Sequence, residues 1–127
     1  MRTGHQKVLI LDDDPMHLEI YGLLVKQAGW EPLPALVRFV GTEIPRNHDV
    51  GLVLLDYRLH SIKTSPEFAQ EIRNLYPAAP IVLLTDLWTV PKDITPLVTG
   101  FVRKGEPAKL LETVRMFMAN SNKGNSG

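Results

Sequence analysis

Four apolar runs in this chain each stop on a side chain with chemistry to offer. Asp12-Asp13 closes Val8-Leu9-Ile10-Leu11, Asp56 closes Val50 to Leu55, Thr85 closes Ile81 to Leu84, and Lys104 follows Gly100 to Arg103. Carboxylates brought together repel one another, and a bound divalent cation relieves the repulsion. The chain has no cysteine, and His5, His17, His48 and His60 show no metal-ligand spacing, so they read as surface or loop residues. Oxygen ligands alone favour Mg²⁺. A carboxylate beside Mg²⁺ can act as a nucleophile toward phosphorus, giving an aspartyl phosphate while the metal offsets developing charge. Lys104 and the Thr85 hydroxyl would then hold the other phosphoryl oxygens.

That chemistry requires the four run ends to meet. Continuous Val/Leu/Ile runs bounded by polar residues read as strands buried on both faces of a parallel sheet. Val8–Leu11, Val50–Asp56, Ile81–Thr85 and Gly100–Lys104 fit this description, and Trp30–Leu33 is a short further candidate. Between them lie helical patterns. Asp14-Pro15 makes an N-cap and first helical position, followed by Met16, Ile20, Leu23, Leu24 and Ala28 at helical spacing up to Gly29. Ser65-Pro66 repeats the start, with Phe68, Ala69, Ile72, Leu75 and Tyr76 on one face before Pro77. Pro107 opens a last helix bearing Leu110, Leu111, Val114, Phe117 and Met118. A weak helix over Ala35–Val40 is also expected, in a stretch crowded by Pro32, Pro34, Gly41 and Pro45. Strands alternating with helices argue a parallel sheet covered on both faces, with ligands bound beyond the carboxyl ends of its strands.

Composition narrows the class. At 127 residues the chain suits one domain, and its 14 basic and 14 acidic residues balance, unlike the footprint of a nucleic-acid binder. Without cysteine there is neither a disulfide framework nor a thiolate metal site. No stretch reads as a signal peptide or approaches a membrane span, so a cytoplasmic domain is expected. The expected layout is an N-terminal tail over 1–6, a domain over 7–119 and a disordered polar tail over 120–127.

The acid pair after the first strand, Asp after the third, Thr after the fourth and Lys after the fifth, in this order, resemble the receiver domains of two-component response regulators. The resemblance spans about residues 7 to 119. It implies a flavodoxin-like, doubly wound five-stranded sheet in the order 2-1-3-4-5. It also implies that Asp56 is the phosphoacceptor, that Asp12 and Asp13 form the acid pair with Asp13 the more direct Mg²⁺ ligand, and that the Arg58 carbonyl is a third ligand. Thr85 would be the switch hydroxyl, Lys104 the lysine partner, and Phe101 the aromatic that changes rotamer on phosphorylation. The implied role is signalling. A histidine kinase or phosphotransfer protein donates the phosphoryl group to Asp56, and contacts with a downstream protein, or within a homodimer, respond. No turnover beyond self-phosphotransfer and autodephosphorylation is implied.

The chain departs from the family pattern at several places. His60 stands where a proline usually lies four residues after the phosphoacceptor, and Ser61 to Ser65 is longer and differently shaped. Asp86 follows the switch Thr, where Ala or Gly usually leaves room. It would repel an incoming phosphoryl group, pair with Lys104, or point to solvent. Gly105 replaces the proline that commonly follows the lysine. Pro91 and Pro96 make a regular fourth helix doubtful, and Trp88 in that region is either a contact anchor or a cover for the core.

Two rivals follow. A degenerate receiver would bind partners without phosphorylation, which Asp86 and the rebuilt loop favour. A phosphohydrolase of the haloacid dehalogenase type would use Asp12 as nucleophile and Asp14 as acid/base, with Thr85 and Lys104 in support. Against it stand the short chain, the lack of a cap domain and of a late acidic pair.

Overall fold

The computed structural model describes residues 6–126, with side chains described through residue 119. Five strands, β1 (Lys7–Asp12), β2 (Glu31–Leu36), β3 (Val50–Asp56), β4 (Ile81–Thr85) and β5 (Gly100–Arg103), form one sheet in the order β2-β1-β3-β4-β5. Every neighbouring pair is parallel. Helices α1 (Pro15–Gln27) and α3 (Pro107–Ser126) cover one face, and α2 (Ser65–Leu75) covers the other. This is the doubly wound architecture anticipated from the apolar runs. The central strands bury nearly every residue because both faces are covered, so their sequence has no polar alternation.

Alternate side chains of one strand serve two cores. Leu9, Leu11, Val53, Leu55, Ile81 and Leu83 pack with Phe68 and Ile72 of α2. Val8, Ile10, Leu52, Leu54, Val82 and Leu84 pack with Leu18 and Val25 of α1 and with Leu110, Val114 and Met118 of α3. The second core closes tightly at Gly51, where a Cβ would lie 3.1 Å from the Met118 methyl and 3.2 Å from the Gln6 amide. Gln6 is thus buried within the domain, one residue earlier than the expected boundary at 7. Residues 1–5 of the expected N-terminal tail, and Gly127, lie outside the described residues. The backbone of α3 continues through Ser126, where a disordered tail was expected from residue 120. A helix nucleated on the packed turns of Leu110, Val114 and Met118 adds further residues at little cost.

Three local expectations need correction. The second strand runs to Leu36, because Pro32 and Pro34, two residues apart, both turn their ring nitrogens to one side of an edge strand. The other side remains free to bond β1, and the edge is protected from further pairing. The helix expected over Ala35–Val40 does not form. Val37 N–H instead donates to the Asp12 carbonyl at 2.8 Å, extending the strand path. A loop closed by the Thr42 hydroxyl on both backbone groups of Arg38 follows, and Ile44, 4% exposed, plugs the core in the helix's place. The α2 cap is Thr64 rather than Ser65: Thr64 and Glu67 form a reciprocal capping box, and Ser65 is the first helical residue.

Between β4 and β5 the only helical feature is a 3-10 turn at Thr95–Leu97, as the prolines there suggested. Fully buried Ile94 fills the space beneath it.

Candidate functional site

The strand order reverses between β1 and β3, and their last residues are Asp12 and Asp56. Each carboxylate therefore sits at the bottom of the crevice that such a sheet opens at its carboxyl edge. Asp12 is fully buried and Asp56 is 1% exposed. Thr85, also fully buried, ends β4 next to Asp56. Lys104 follows β5, its N–H donating to the Thr85 carbonyl at 2.8 Å. Its ammonium reaches across to the Asp56 Oδ1 at 2.7 Å. The Arg58 N–H donates to the same oxygen at 3.2 Å, so backbone and lysine together hold the carboxylate.

Asp12 is less well served. Its Oδ1 accepts from the Asp14 N–H at 2.9 Å, and Asp14 in turn caps α1 by accepting from the Met16 N–H. Its Oδ2 has no hydrogen-bond partner. Burial pushes the Asp12 carboxyl up to about 6, with the Asp56 charge adding to the rise against the pull of the Asp14 amide, His17 and Lys104. The same field reaches Tyr21, one turn along α1. Burial first, then Asp12, Asp56 and Asp14, push its phenol up to about 12.

The cluster of possible ligand side chains includes a residue outside the expected set. Asp12, His17 and Asp56 each bring a ligand atom within 4.8 Å of the others. The Asp13 Oδ2 accepts from the His60 N–H at 3.0 Å. His17, first read as a surface residue, stands in the first turn of α1 with Nδ1 3.3 Å from the Asp12 Oδ2. The signal was available in the sequence: a residue three positions into a helix that starts at the acidic turn leans back toward that turn.

The remaining expected residues lie around this cluster. Asp86 is exposed and does not pair with Lys104. Its Oδ1 accepts from Arg58 Nε at 3.1 Å, and that hydrogen bond holds its carboxyl below the ordinary range. Arg58 thus links the loop after β3 to the loop after β4 above the site. The Thr85 Oγ1 accepts from the Leu87 N–H at 3.0 Å, which leaves its own proton available to a ligand. Phe101 pairs with Leu83 across the sheet and is 37% exposed. Trp88 is 77% exposed and does not cover the core; the Arg103 guanidinium lies 3.5 Å from its ring centroid. The His60 ring, where a proline was expected, stands 5.2 Å from that of Phe39.

After Lys104, Gly105 takes φ +84°, a left-handed conformation costly to a side chain although a Cβ there would touch nothing. Gly105→Ala should therefore destabilise the fold by about 1–2 kcal/mol, measured by urea denaturation.

No family model matches this chain. Among curated proteins, the transcriptional regulatory proteins GlrR of Escherichia coli K12 and QseF of Escherichia coli O157:H7 are each 28% identical over 93 residues, 73% of this chain. The chain spans about a fifth of their length, 21%. Among solved structures, the CheY-like response regulator receiver domain protein of Methanospirillum hungatei superposes with TM-score 0.76 at 18% identity, covering 95% of this chain and 99% of that one. The chemotaxis protein CheY4 of Vibrio cholerae superposes with TM-score 0.70 at 22% identity, covering 90% and 99%. NtrX of Brucella abortus gives 0.73 at 17% identity, covering 96% of this chain and 29% of that one.

Proposed function

Because this chain has the CheY-like fold of response-regulator receiver domains, we propose that it accepts a phosphoryl group on Asp56 from a phosphohistidine of a kinase or phosphotransfer protein. The observation that carries this reading is the buried Asp56 carboxylate held by Lys104 at 2.7 Å at the end of the central strand. An Asp56 oxygen attacks phosphorus as the P–N bond to the donor imidazole breaks. The departing nitrogen keeps the electron pair, and no further reactant is consumed. Lys104 is placed to move from the carboxylate to a phosphoryl oxygen, and the Thr85 hydroxyl to donate to another.

The residues fit a divalent cation, since Asp12 keeps a buried oxygen without a partner. Asp12 and Asp56 would hold it, with Asp13 and the Arg58 carbonyl as the further ligands that the resemblance implies. Such an ion supplies charge neutralisation at the phosphoryl oxygens. Phe101 and Thr85 are the proposed switch pair, and the unit over 7–119 the proposed receiver domain, working in the cytoplasm. Among the described residues no helix is long and apolar enough to cross a membrane.

The test is intact-mass analysis after incubation with acetyl phosphate and Mg²⁺. A single phosphoryl adduct is expected in the wild type and none in Asp56→Asn. The Arg58–Asp86 link favours a second reading, in which the domain engages partners without phosphorylation. Asp86→Ala separates the two. An adduct gained only in that variant would make Asp86 a block, and no adduct in any variant would favour the phosphorylation-independent module. Phosphate carried on Asp12 instead would revive the hydrolase.

A further inference from the structure

We infer that His17 is an imidazole ligand of the cation held by Asp12 and Asp56, and that the site therefore takes a first-row transition-metal dication in preference to Mg²⁺. The inference rests on the reading of this cluster as a cation site and adds a ligand to it. Two independent features point the same way. Asp12 is fully buried, and its Oδ2 and the His17 Nδ1 both lack a hydrogen-bond partner. Yet they face each other at 3.3 Å, close enough to pair and not aligned to do so. A third body accepting lone pairs from both satisfies both, and the Asp56 carboxylate lies within the same 4.8 Å.

The other ring nitrogen of His17, Nε2, lies 3.5 Å from the Asp14 Oδ2, near enough for that carboxylate to take up the ring proton if Nδ1 binds a metal. Asp13 is engaged by the His60 N–H. The donor set then has one nitrogen among oxygens, the carboxylates of Asp12 and Asp56 within reach of it and Asp13 and the Arg58 carbonyl as the further ligands. Mg²⁺ is a hard ion that keeps oxygen ligands and water, whereas imidazole draws Mn²⁺, Fe²⁺, Co²⁺ and Zn²⁺ with rising affinity. A cavity of about 270 Å³ between α1 and α3 is lined by His17, Tyr21, Leu24, Lys104 and Leu110.

The experiment uses the full chain with ring-¹⁵N-labelled histidine, titrated separately with Zn²⁺ and Mg²⁺ at neutral pH, together with calorimetry on wild type and His17→Gln. The first equivalent of Zn²⁺ should shift the His17 Nδ1 resonance before those of the other histidines. His17→Gln should weaken Zn²⁺ binding by about tenfold or more while leaving Mg²⁺ binding within about twofold. His17 resonances that stay still while Zn²⁺ saturates the protein, or equal Zn²⁺ affinities in the two proteins, would overturn the inference even if Mg²⁺ binds. If neither cation binds and Asp12→Asn changes nothing, the cation-site reading itself fails with it.

Discussion

Replacing Lys104 by alanine should destabilise the metal-free protein by about 3–5 kcal/mol at neutral pH, the cost of leaving a buried carboxylate without its cation. The magnitude follows from burial. The Asp56 side chain is 2% exposed and that of Lys104 24%, so water screens little of their 2.7 Å contact. Asp12, also buried, adds a second negative charge to the same crevice, and Lys104 is the side-chain cation in contact with Asp56. Removing it exposes two carboxylates to each other. The double variant Lys104→Ala/Asp56→Asn should recover most of the loss, since the neutral amide needs no counter-charge. Urea denaturation of the four proteins of that cycle measures the coupling. A single-variant loss below about 1 kcal/mol, the scale of an exposed ion pair, would mean that water or local rearrangement reaches Asp56.

The contrast with Arg58 and Asp86 shows why position outranks residue type. Their contact is nearly as short at 3.1 Å, but both side chains are more than half exposed, 59% and 57%. Screening and side-chain entropy leave such a pair little net stability. It bridges the loops after β3 and β4 over the candidate site.

The sheet was legible in the sequence because its central strands are buried on both faces, which turns them into unbroken apolar runs with polar stops. Those stops, Asp12, Asp56, Thr85 and Lys104, come to the carboxyl edge of that sheet. The misread parts share a physical character. Pro32 and Pro34 look like strand breakers until the strand is known to be an edge, a tertiary fact. Ala35–Val40 has an apolar spacing that a helix could use, but the Val37–Asp12 backbone bond and the burial of Ile44 satisfy the same core without one. His17 carried a local signal, its place in the first helical turn after Asp12, but Asp56 on β3 is brought near it only by the fold. The contacts that Asp13 and Asp86 make, with the His60 N–H and the Arg58 guanidinium, both involve the loop after β3, whose course no local rule describes.

Asp12→Asn should act in the opposite direction to Lys104→Ala and raise stability at neutral pH. Folding pushes the Asp12 carboxyl from the ordinary 3.8 up to about 6, chiefly because burial disfavours the charged form. A carboxyl raised on folding binds its proton more tightly in the native state than in the unfolded one. The Asp12 contribution to stability is then greatest below about pH 4, falls as pH rises through the window from 3.8 to about 6, and levels off above it. The whole loss amounts to about 3 kcal/mol. Asparagine keeps the oxygen that accepts from the Asp14 N–H and carries no charge, so the variant should be more stable at pH 7 and lack the decline between pH 4 and 6. Urea titrations of both proteins across that range with EDTA present give the measurement, and parallel curves would refute it. Adding a divalent cation should then reverse the ranking. The wild type gains stability with the logarithm of free metal, whereas Asp12→Asn, one ligand short, gains less. On the proposed cation reading, a bound cation would restore the stability that Asp12 takes from the metal-free fold, and a neutral residue here would keep that stability and forfeit the site.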